Sequence, residues 1–141
     1  MSPGKYVRFV LAFTVLYLLL RFTLGLFLQY PTAYLVSLLT GCEWEGVSVV
    51  CGYVEYRIVP ECTGVVSFAL LLALLSAAPI SRERKVRAIV FGIPFLYVLN
   101  VLRVYALVSL SRSLFAFDLL HVAFWLASPL FVVLYVVWLM K

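Results

Sequence analysis

The sequence predicts an all-α membrane protein, a four-transmembrane-helix bundle with a small extracytoplasmic cap between its first two helices. Two observations favour this fold class. Of the 141 residues, 66% are hydrophobic and only 12% are charged, and a soluble domain of this size cannot bury so much apolar surface. The chain also contains four apolar runs of about the length, roughly 17–25 residues, that a bilayer-spanning helix needs. We therefore expect a single membrane domain over residues 1–141.

The four predicted transmembrane helices cover about residues 6–29, 63–79, 88–111 and 119–140. The first is too long for a signal peptide and lacks a small-residue cleavage site, so it is expected to be retained. Lys and Arg residues gather at one end of the four helices, and the positive-inside rule assigns that end, with both termini, to the cytoplasm. The residues counted there are Lys5, Arg8, Arg82, Arg84, Lys85, Arg87 and Lys141, against Arg57 and Arg112 on the other side.

Residues 30–60 form the predicted extracytoplasmic cap. Its first part, residues 31–40, is predicted to be a short interfacial helix. Residues 47–59 are rich in β-branched and aromatic side chains, and Gly52 near their centre predicts the bend of a β-hairpin. Because a two-stranded ribbon is marginally stable alone, we expect the hairpin to rest on the membrane domain.

The net charge of +5 does not indicate a nucleic-acid partner. The densest basic run, residues 81–87, lies between two apolar segments, which is typical of a cytoplasmic loop in a membrane protein. Nucleic-acid binding would need a basic surface interleaved with aromatic residues. The charge distribution therefore favours membrane lipids over nucleic acid.

The cysteines are the first indication of chemistry. Cys42, Cys51 and Cys62 all fall on the predicted outer side, where disulfides persist, and an odd number leaves one outside any intramolecular pair. Cys42 and Cys51 bracket an acidic turn and the first predicted strand, so a disulfide between them is a reasonable expectation. Cys62 would then lie in the first turn of the second transmembrane helix, where the helix dipole favours a thiolate. The alternative for Cys62 is a small buried hydrophobic residue.

Two arginines and an asparagine interrupt the apolar helices. Arg103 lies in the outer half of the third helix, and an intramembrane arginine is by default a candidate functional residue. Asn100 precedes it by three residues and therefore shares its helical face. Arg21 interrupts the outer half of the first helix, where it either extends to the interface or belongs to the site. For Arg103 the alternative is a structural ion pair with Glu61 or Asp118.

His121, the only histidine, opens the fourth helix on the outer side, three residues after Asp118. Asp118 would cap that helix or orient the imidazole. A lone interfacial histidine is often only a polar anchor, but Cys62, Arg103 and His121 come from three segments at one membrane level. Acyl transfer requires a thiolate, a proton donor and positive charge beside the oxyanion, and these three residues supply them.

Three motifs in this order resemble those of the exosortase/archaeosortase family of membrane cysteine transpeptidases. They are Glu61-Cys62-Thr63-Gly64, Asn100-Val101-Leu102-Arg103 and His121, and the resemblance covers about Tyr53 to the C-terminus. It implies that Cys62 attacks a backbone carbonyl to form a thioester. Arg103 would stabilise the oxyanion or the thiolate, and His121 would act as general acid and then as base.

The resemblance also implies the partners and the location. The substrates would be exported proteins with a C-terminal tripartite sorting signal, and an amine or a lipid would accept the acyl group. The site would face the extracytoplasmic side of the plasma membrane. Glu61, Asn100 and Arg21 are candidate substrate-binding residues, and no cofactor or metal is predicted.

Two other functions fit parts of the sequence. A four-helix membrane thiol–disulfide oxidoreductase would use the three outward cysteines, although the usual Cys-x-x-Cys spacing is missing. A non-catalytic membrane assembly protein would use Arg103 in a structural ion pair. A metalloprotease is disfavoured because the chain has one histidine and no His-Glu-x-x-His motif. A serine hydrolase is disfavoured because Ser67 and Ser76 lack an elbow motif.

Overall fold

The computed structural model describes residues 2–110 and 114–141, and it describes only the backbone of Glu61 and of residues 114–117. Most of this chain is helical. The α-helices are α1 (Pro3–Leu20), α2 (Leu26–Thr40), α3 (Val65–Ala77), α4 (Arg82–Leu110) and α5 (Leu114–Met140). A π-helical segment joins α1 to α2, and a 3-10 helix precedes α3; they cover Arg21–Gly25 and Pro60–Thr63. The strands are β1 (Glu43–Glu45), β2 (Ser48–Cys51) and β3 (Val54–Arg57).

The first helix does not end where the sequence predicts. α1, the π segment and α2 form one continuous helix of 38 residues, roughly 57 Å long at 1.5 Å per residue. The separate interfacial helix expected over residues 31–40 is therefore wrong, because Pro31 lies inside α2 without ending it. Ala33 and Val36, just beyond the proline, are fully buried, so packing against α4 and β2 stabilises the helix past the proline.

Within the described residues, three helices are long and apolar enough to cross a membrane by length and composition: Pro3–Thr40, Arg82–Leu110 and the Asp118–Met140 part of α5. The second predicted transmembrane helix, α3, is apolar but has only 13 residues. It is also the most enclosed helix, since Val65 and Leu71 are fully buried and it packs against α1, α4 and α5. α3 is thus the central element of the bundle.

The basic run is helical rather than a loop, which corrects the sequence prediction. α4 begins at Arg82, six residues before the predicted start. The Ser81 hydroxyl accepts a hydrogen bond from the Arg84 amide over 3.4 Å, and the Arg87 guanidinium contacts Glu83 at 3.1 Å. The Ser81 bond satisfies a first-turn amide that the helix itself leaves unpaired, and the Arg87–Glu83 pair joins two side chains one turn apart. Ser111, the predicted end of this helix, lies outside the described residues, as does Arg112.

The cap contains a three-stranded antiparallel sheet in the order β1-β2-β3. β2 and β3 are the predicted hairpin, with Gly52 in its turn, and β1 is an additional strand that the acidic turn sequence did not predict. Trp44, Val49 and Tyr56 are cross-strand neighbours and share one face. Val49 is fully buried, so this face packs on the bundle. A Cys42–Cys51 disulfide with a Cα–Cα distance of 4.9 Å ties the end of α2 to β2.

The buried apolar residues form two cores. The bundle core surrounds α3 and includes Phe68, Leu71 and Val132. The cap core joins α2, β2 and α4, with Val36, Val49, Ile58, Val101 and Val104 among its members. Tyr97 packs against both cores, and Cys62 packs against the cap core. The Cys62 turn therefore lies where the two cores meet.

Candidate active site

Cys62 lies in the 3-10 helix Pro60–Thr63, not in the first turn of α3 as the sequence predicts, because α3 begins only at Val65. The Cys62 amide donates a hydrogen bond to the Val59 carbonyl over 2.9 Å. The buried Thr63 hydroxyl donates one to the Pro60 carbonyl over 2.6 Å. These bonds hold the turn. Cys62 is therefore positioned by a tight turn before α3, and not by the first turn of α3, where the helix dipole was expected to act on its thiol.

Gly64 connects this turn to α3 and brings it against α4. Its φ of +92° lies in the left-handed region, which glycine adopts at little cost. A Cβ at this position would lie 3.4 Å from Cβ of Asn100 and 3.3 Å from Cζ of Phe68. The chain therefore needs glycine here for two reasons, its backbone angle and the close approach of Asn100.

Asn100 is bonded directly to the cysteine turn. Its side-chain amide donates a hydrogen bond to the backbone carbonyl of Cys62, 38 residues away in sequence, and the residue is only 7% exposed. An unsatisfied carbonyl in an apolar interior is costly, so this bond both stabilises the turn and fixes the position of Cys62. In the structure, Asn100 contacts the cysteine turn.

Arg103 lies one turn along α4 from Asn100 and is partly buried. Its side chain interacts electrostatically with Cys62. Its Nε atom is buried and has no hydrogen-bond partner among the described residues. The expected alternative, an ion pair with Asp118, is not present within the described side chains, and the Glu61 side chain lies outside the described part of the structure. The structure thus brings Cys62, Asn100 and Arg103 together.

A cavity of about 210 Å3 adjoins Asn100 and Arg103 between α3, α4 and α5. Ser67 and Ser128 add two hydroxyl groups to its wall, and the remaining wall is apolar. The wall residues Leu102 and Phe131 are 47% and 58% exposed, so the cavity opens sideways between α4 and α5. A guanidinium facing a small polar space within an apolar bundle provides localised positive charge for an oxygen that becomes anionic.

His121 is partly buried on α5 and does not line this cavity. It precedes the cavity residues Phe124 and Ser128 by three and seven positions, so it shares their helical face. One turn, about 4.5 Å along the axis, separates it from Phe124. Asp118 is the fifth residue of α5, which begins at Leu114, so its expected role as the cap of that helix is wrong. The structure relates His121 to the cavity by its helical face.

Arg21 is the first residue of the π segment, with its guanidinium carbon 5.2 Å from the ring centre of Phe22. Gly25, in the same segment, faces the cysteine turn, since a Cβ there would lie 3.1 Å from Cβ of Pro60 and 3.3 Å from Cγ1 of Val65. A π segment inside an α-helix is often found at functional sites. The π segment thus packs directly on the turn that carries Cys62.

Two polar contacts near the site were not predicted from the sequence. The Gln29 side-chain amide donates a hydrogen bond to the Ile58 backbone carbonyl over 2.7 Å, and the Thr32 and Tyr97 hydroxyls are 3.0 Å apart. Gln29 and Thr32 share the buried face of α2 with Val36. The signal was the spacing of these polar residues at helical intervals in an otherwise apolar segment, which places them on one face.

The chain was compared with models of protein families, with curated proteins and with solved structures. Residues 4–140 match the family model described as transmembrane exosortase (Exosortase_EpsH). No curated protein and no solved structure matches the chain. The family model covers nearly the whole chain, including the Cys62 turn, Arg103 and His121. This membrane protein therefore belongs to the transmembrane exosortase family.

Proposed function

We propose that the protein is a cysteine transpeptidase of the plasma membrane that cleaves a C-terminal sorting signal of exported proteins. The acyl group would pass through a thioester on Cys62 to an amine or lipid acceptor. The observation that carries the proposal is the position of Arg103, one helical turn from the Asn100 side chain that is bonded to the Cys62 carbonyl. Arg103 lines the cavity together with Asn100, and its charge interacts with Cys62. Family membership supports the reaction class, since exosortases are generally cysteine transpeptidases.

In the proposed first half-reaction, the Cys62 thiolate attacks the carbonyl carbon of the scissile peptide bond. Negative charge moves to the carbonyl oxygen, where the Arg103 guanidinium stabilises it. The His121 imidazolium gives its proton to the leaving nitrogen as the C–N bond breaks. The products are a Cys62 thioester and a free amine at the start of the released segment.

In the second half-reaction, the acceptor attacks the thioester carbonyl. His121, now neutral, removes the proton from the attacking amine or hydroxyl group. The C–S bond breaks, and the Cys62 thiolate leaves as the new amide or ester forms. Arg103 stabilises the same oxyanion and then the thiolate, which is the activated form of a cysteine nucleophile.

Asn100 has a proposed role that differs from the substrate contact expected from the sequence. Because it bonds the Cys62 carbonyl and lines the cavity together with Arg103, we assign it as a positioning residue. It holds the cysteine turn at a set distance from the guanidinium one helical turn away. Arg21 and Glu61 remain the candidate substrate-binding residues, and the contact of the π segment with Pro60 supports this role for Arg21.

The proposed membrane orientation places the site on the extracytoplasmic side. The basic start of α4 would lie at the cytoplasmic surface, with α3 as a fourth, short span. Arg103 then lies about 22 Å along the axis from Ala88, in the outer half of a hydrocarbon layer of about 30 Å. The sideways opening of the cavity supports entry of a membrane-anchored substrate from the lipid.

Trapping the thioester tests this function. The purified protein is mixed with a peptide that carries a candidate sorting signal, quenched in acid, and examined by intact and peptide mass spectrometry. We expect an acyl adduct on Cys62 that hydroxylamine releases and that Cys62→Ala lacks. The control variant Cys42→Ser/Cys51→Ser should keep the adduct. If the protein were instead a thiol–disulfide oxidoreductase, the same variant would lose turnover. An adduct that persists in Cys62→Ala would refute the assignment.

A further inference from the structure

A second polar site lies at the opposite end of the bundle from Cys62. A groove of about 440 Å3 runs between the first turns of α4 and the last turns of α5. Arg84, Arg87 and Lys141 supply its cations, and Phe91, Tyr135 and Trp138 are among its other wall residues. Arg84 and Arg87 lie at the start of α4, and Lys141 directly follows the end of α5. These cations meet because the two helices pack antiparallel. We call this surface the basic groove.

The charge of the basic groove is only partly balanced. Arg87 contacts Glu83 at 3.1 Å, and both side chains are exposed. No acidic side chain is among the groove's wall residues, so Arg84 and Lys141 have no acidic neighbour in the wall. Among side chains, three cations against one peripheral carboxylate favour an anionic ligand, and the planar guanidinium groups suit the oxygen atoms of a phosphate.

The aromatic wall indicates what carries the phosphate. Tyr135 and Trp138 are stacked with ring centres 6.4 Å apart, and a Cβ at Gly92 would lie 3.2 Å from Cε1 of Tyr135. Gly92 thus lets Tyr135 pack closely on α4. Trp138 and Phe91 are each 68% exposed and continue the apolar outer surface of the helices. A ligand on this surface contacts cations at one end and aromatic rings at the other.

We propose that the basic groove binds an anionic phospholipid, with the phosphate on Arg84, Arg87 and Lys141 and an acyl chain along Phe91 and Trp138. Basic pockets between transmembrane helices on the cytoplasmic side bind anionic headgroups in this way. A free phosphate would use the cations alone and would leave the exposed aromatic wall without a partner. The proposal does not depend on the transpeptidase function, because none of its residues contacts the Cys62 turn.

Quenching of Trp138 fluorescence by brominated lipids tests the site. The full chain is reconstituted in phosphatidylcholine vesicles that contain increasing fractions of brominated phosphatidylglycerol, or of brominated phosphatidylcholine as the reference. The difference between the wild type and Trp138→Phe isolates the signal of this residue. We expect Trp138 to be half-quenched at a several-fold lower fraction of the anionic lipid than of the zwitterionic one.

Paired variants separate a site from general surface charge. Arg84→Gln/Arg87→Gln should raise the half-quenching fraction of phosphatidylglycerol at least about tenfold, since each charge near the headgroup contributes roughly fivefold. Arg82→Gln/Lys85→Gln removes the same charge from the same helical turns, but neither residue lines the basic groove. This control should change the fraction by less than about twofold.

Three outcomes would overturn the proposal. Equal effects of the two double variants would show a diffuse surface potential. Equal quenching of the wild type by the two brominated lipids would show no preference for the anionic headgroup, and this result needs no variant. Release of brominated phosphatidylglycerol by millimolar inorganic phosphate, with ionic strength held constant, would show a site for the free anion rather than for the lipid.

Discussion

The bundle core and the Cys62 turn are stabilised by different means. Around the bundle core, regular helices pack through apolar side chains, and α3 contributes Val65, Phe68 and Leu71, none more than 1% exposed. Around the Cys62 turn, the backbone departs from regular α-helix in a π segment, a 3-10 turn and a glycine at positive φ. Polar side chains and a disulfide stabilise this irregular backbone, whereas the bundle core is stabilised by apolar contacts.

The difference follows from the cost of an irregular backbone in apolar surroundings. A backbone carbonyl that is not bonded within a regular helix needs another hydrogen-bond donor, since lipid and apolar side chains offer none. Gln29 supplies the donor for Ile58, and Asn100 supplies it for Cys62. The polar residues near the site thus satisfy the turn that carries the cysteine, and the cap core, through Val101 and Val104, holds the part of α4 that carries Arg103.

The largest expected effect tests whether Arg103 serves chemistry rather than stability. Arg103→Met should lower transfer activity by roughly 10²–10³-fold, the usual cost of losing oxyanion stabilisation. Thermal stability in detergent should be unchanged or higher, because a buried Nε loses no partner among the described residues. Arg103→Lys, which keeps the charge but not the planar guanidinium, should recover part of the activity. A large drop in stability with unchanged activity per folded molecule would instead indicate a structural arginine.

Leu71→Ala provides the opposite test in the bundle core. Leu71 is fully buried and packs where Gly92 lets α4 approach, so its truncation should destabilise the protein by about 2–5 kcal/mol. Because Leu71 does not line the site cavity, activity per folded molecule should stay within about twofold. Unfolding followed by fluorescence, with activity measured well below the transition, separates the two quantities. A kcat that falls with stability would show that the two cores are coupled.

Asn100→Leu should lower both stability and activity, because Asn100 connects α4 to the cysteine turn, where the two cores meet. Loss of the bond to the Cys62 carbonyl should cost about 1–3 kcal/mol of stability and lower kcat about 10- to 100-fold. KM should change little if Asn100 positions the cysteine turn, whereas a substrate contact would raise KM. Ser67→Ala, on the same cavity wall, is the matched control and should leave kcat within about threefold.

Gln29→Leu should give the smallest effect. It removes a buried bond to the Ile58 carbonyl, two residues before Pro60, at a cost of about 1–2 kcal/mol. Activity should remain within about threefold, since Asn100 still holds the Cys62 carbonyl. Unfolding and transfer assays on this variant and on the double variant Gln29→Leu/Asn100→Leu would reveal whether the two bonds act independently. A Gln29→Leu activity as low as that of Asn100→Leu would contradict the separate role assigned to Asn100.

The features that could be predicted from the sequence are those that depend on a local sequence pattern. Asn100 and Arg103 share a face because they are three residues apart in one helix, and the hairpin around Gly52 follows from residue type and turn position. The partner of Asn100 was not predictable, because it is a backbone carbonyl 38 residues away. Likewise, the sequence around Pro31 indicates a helix end, and only the tertiary packing of Ala33 and Val36 overrides that tendency.

The central claim is that Arg103 and Cys62 act as one site, and the alkylation rate of Cys62 tests it without any substrate. With Cys42 and Cys51 joined in a disulfide, iodoacetamide at pH 7 reports on Cys62. The nearby guanidinium favours the reactive thiolate, so we expect Arg103→Met to slow alkylation about tenfold and Ser67→Ala to leave it unchanged. Equal rates in the wild type and Arg103→Met, with both proteins folded, would contradict the claim.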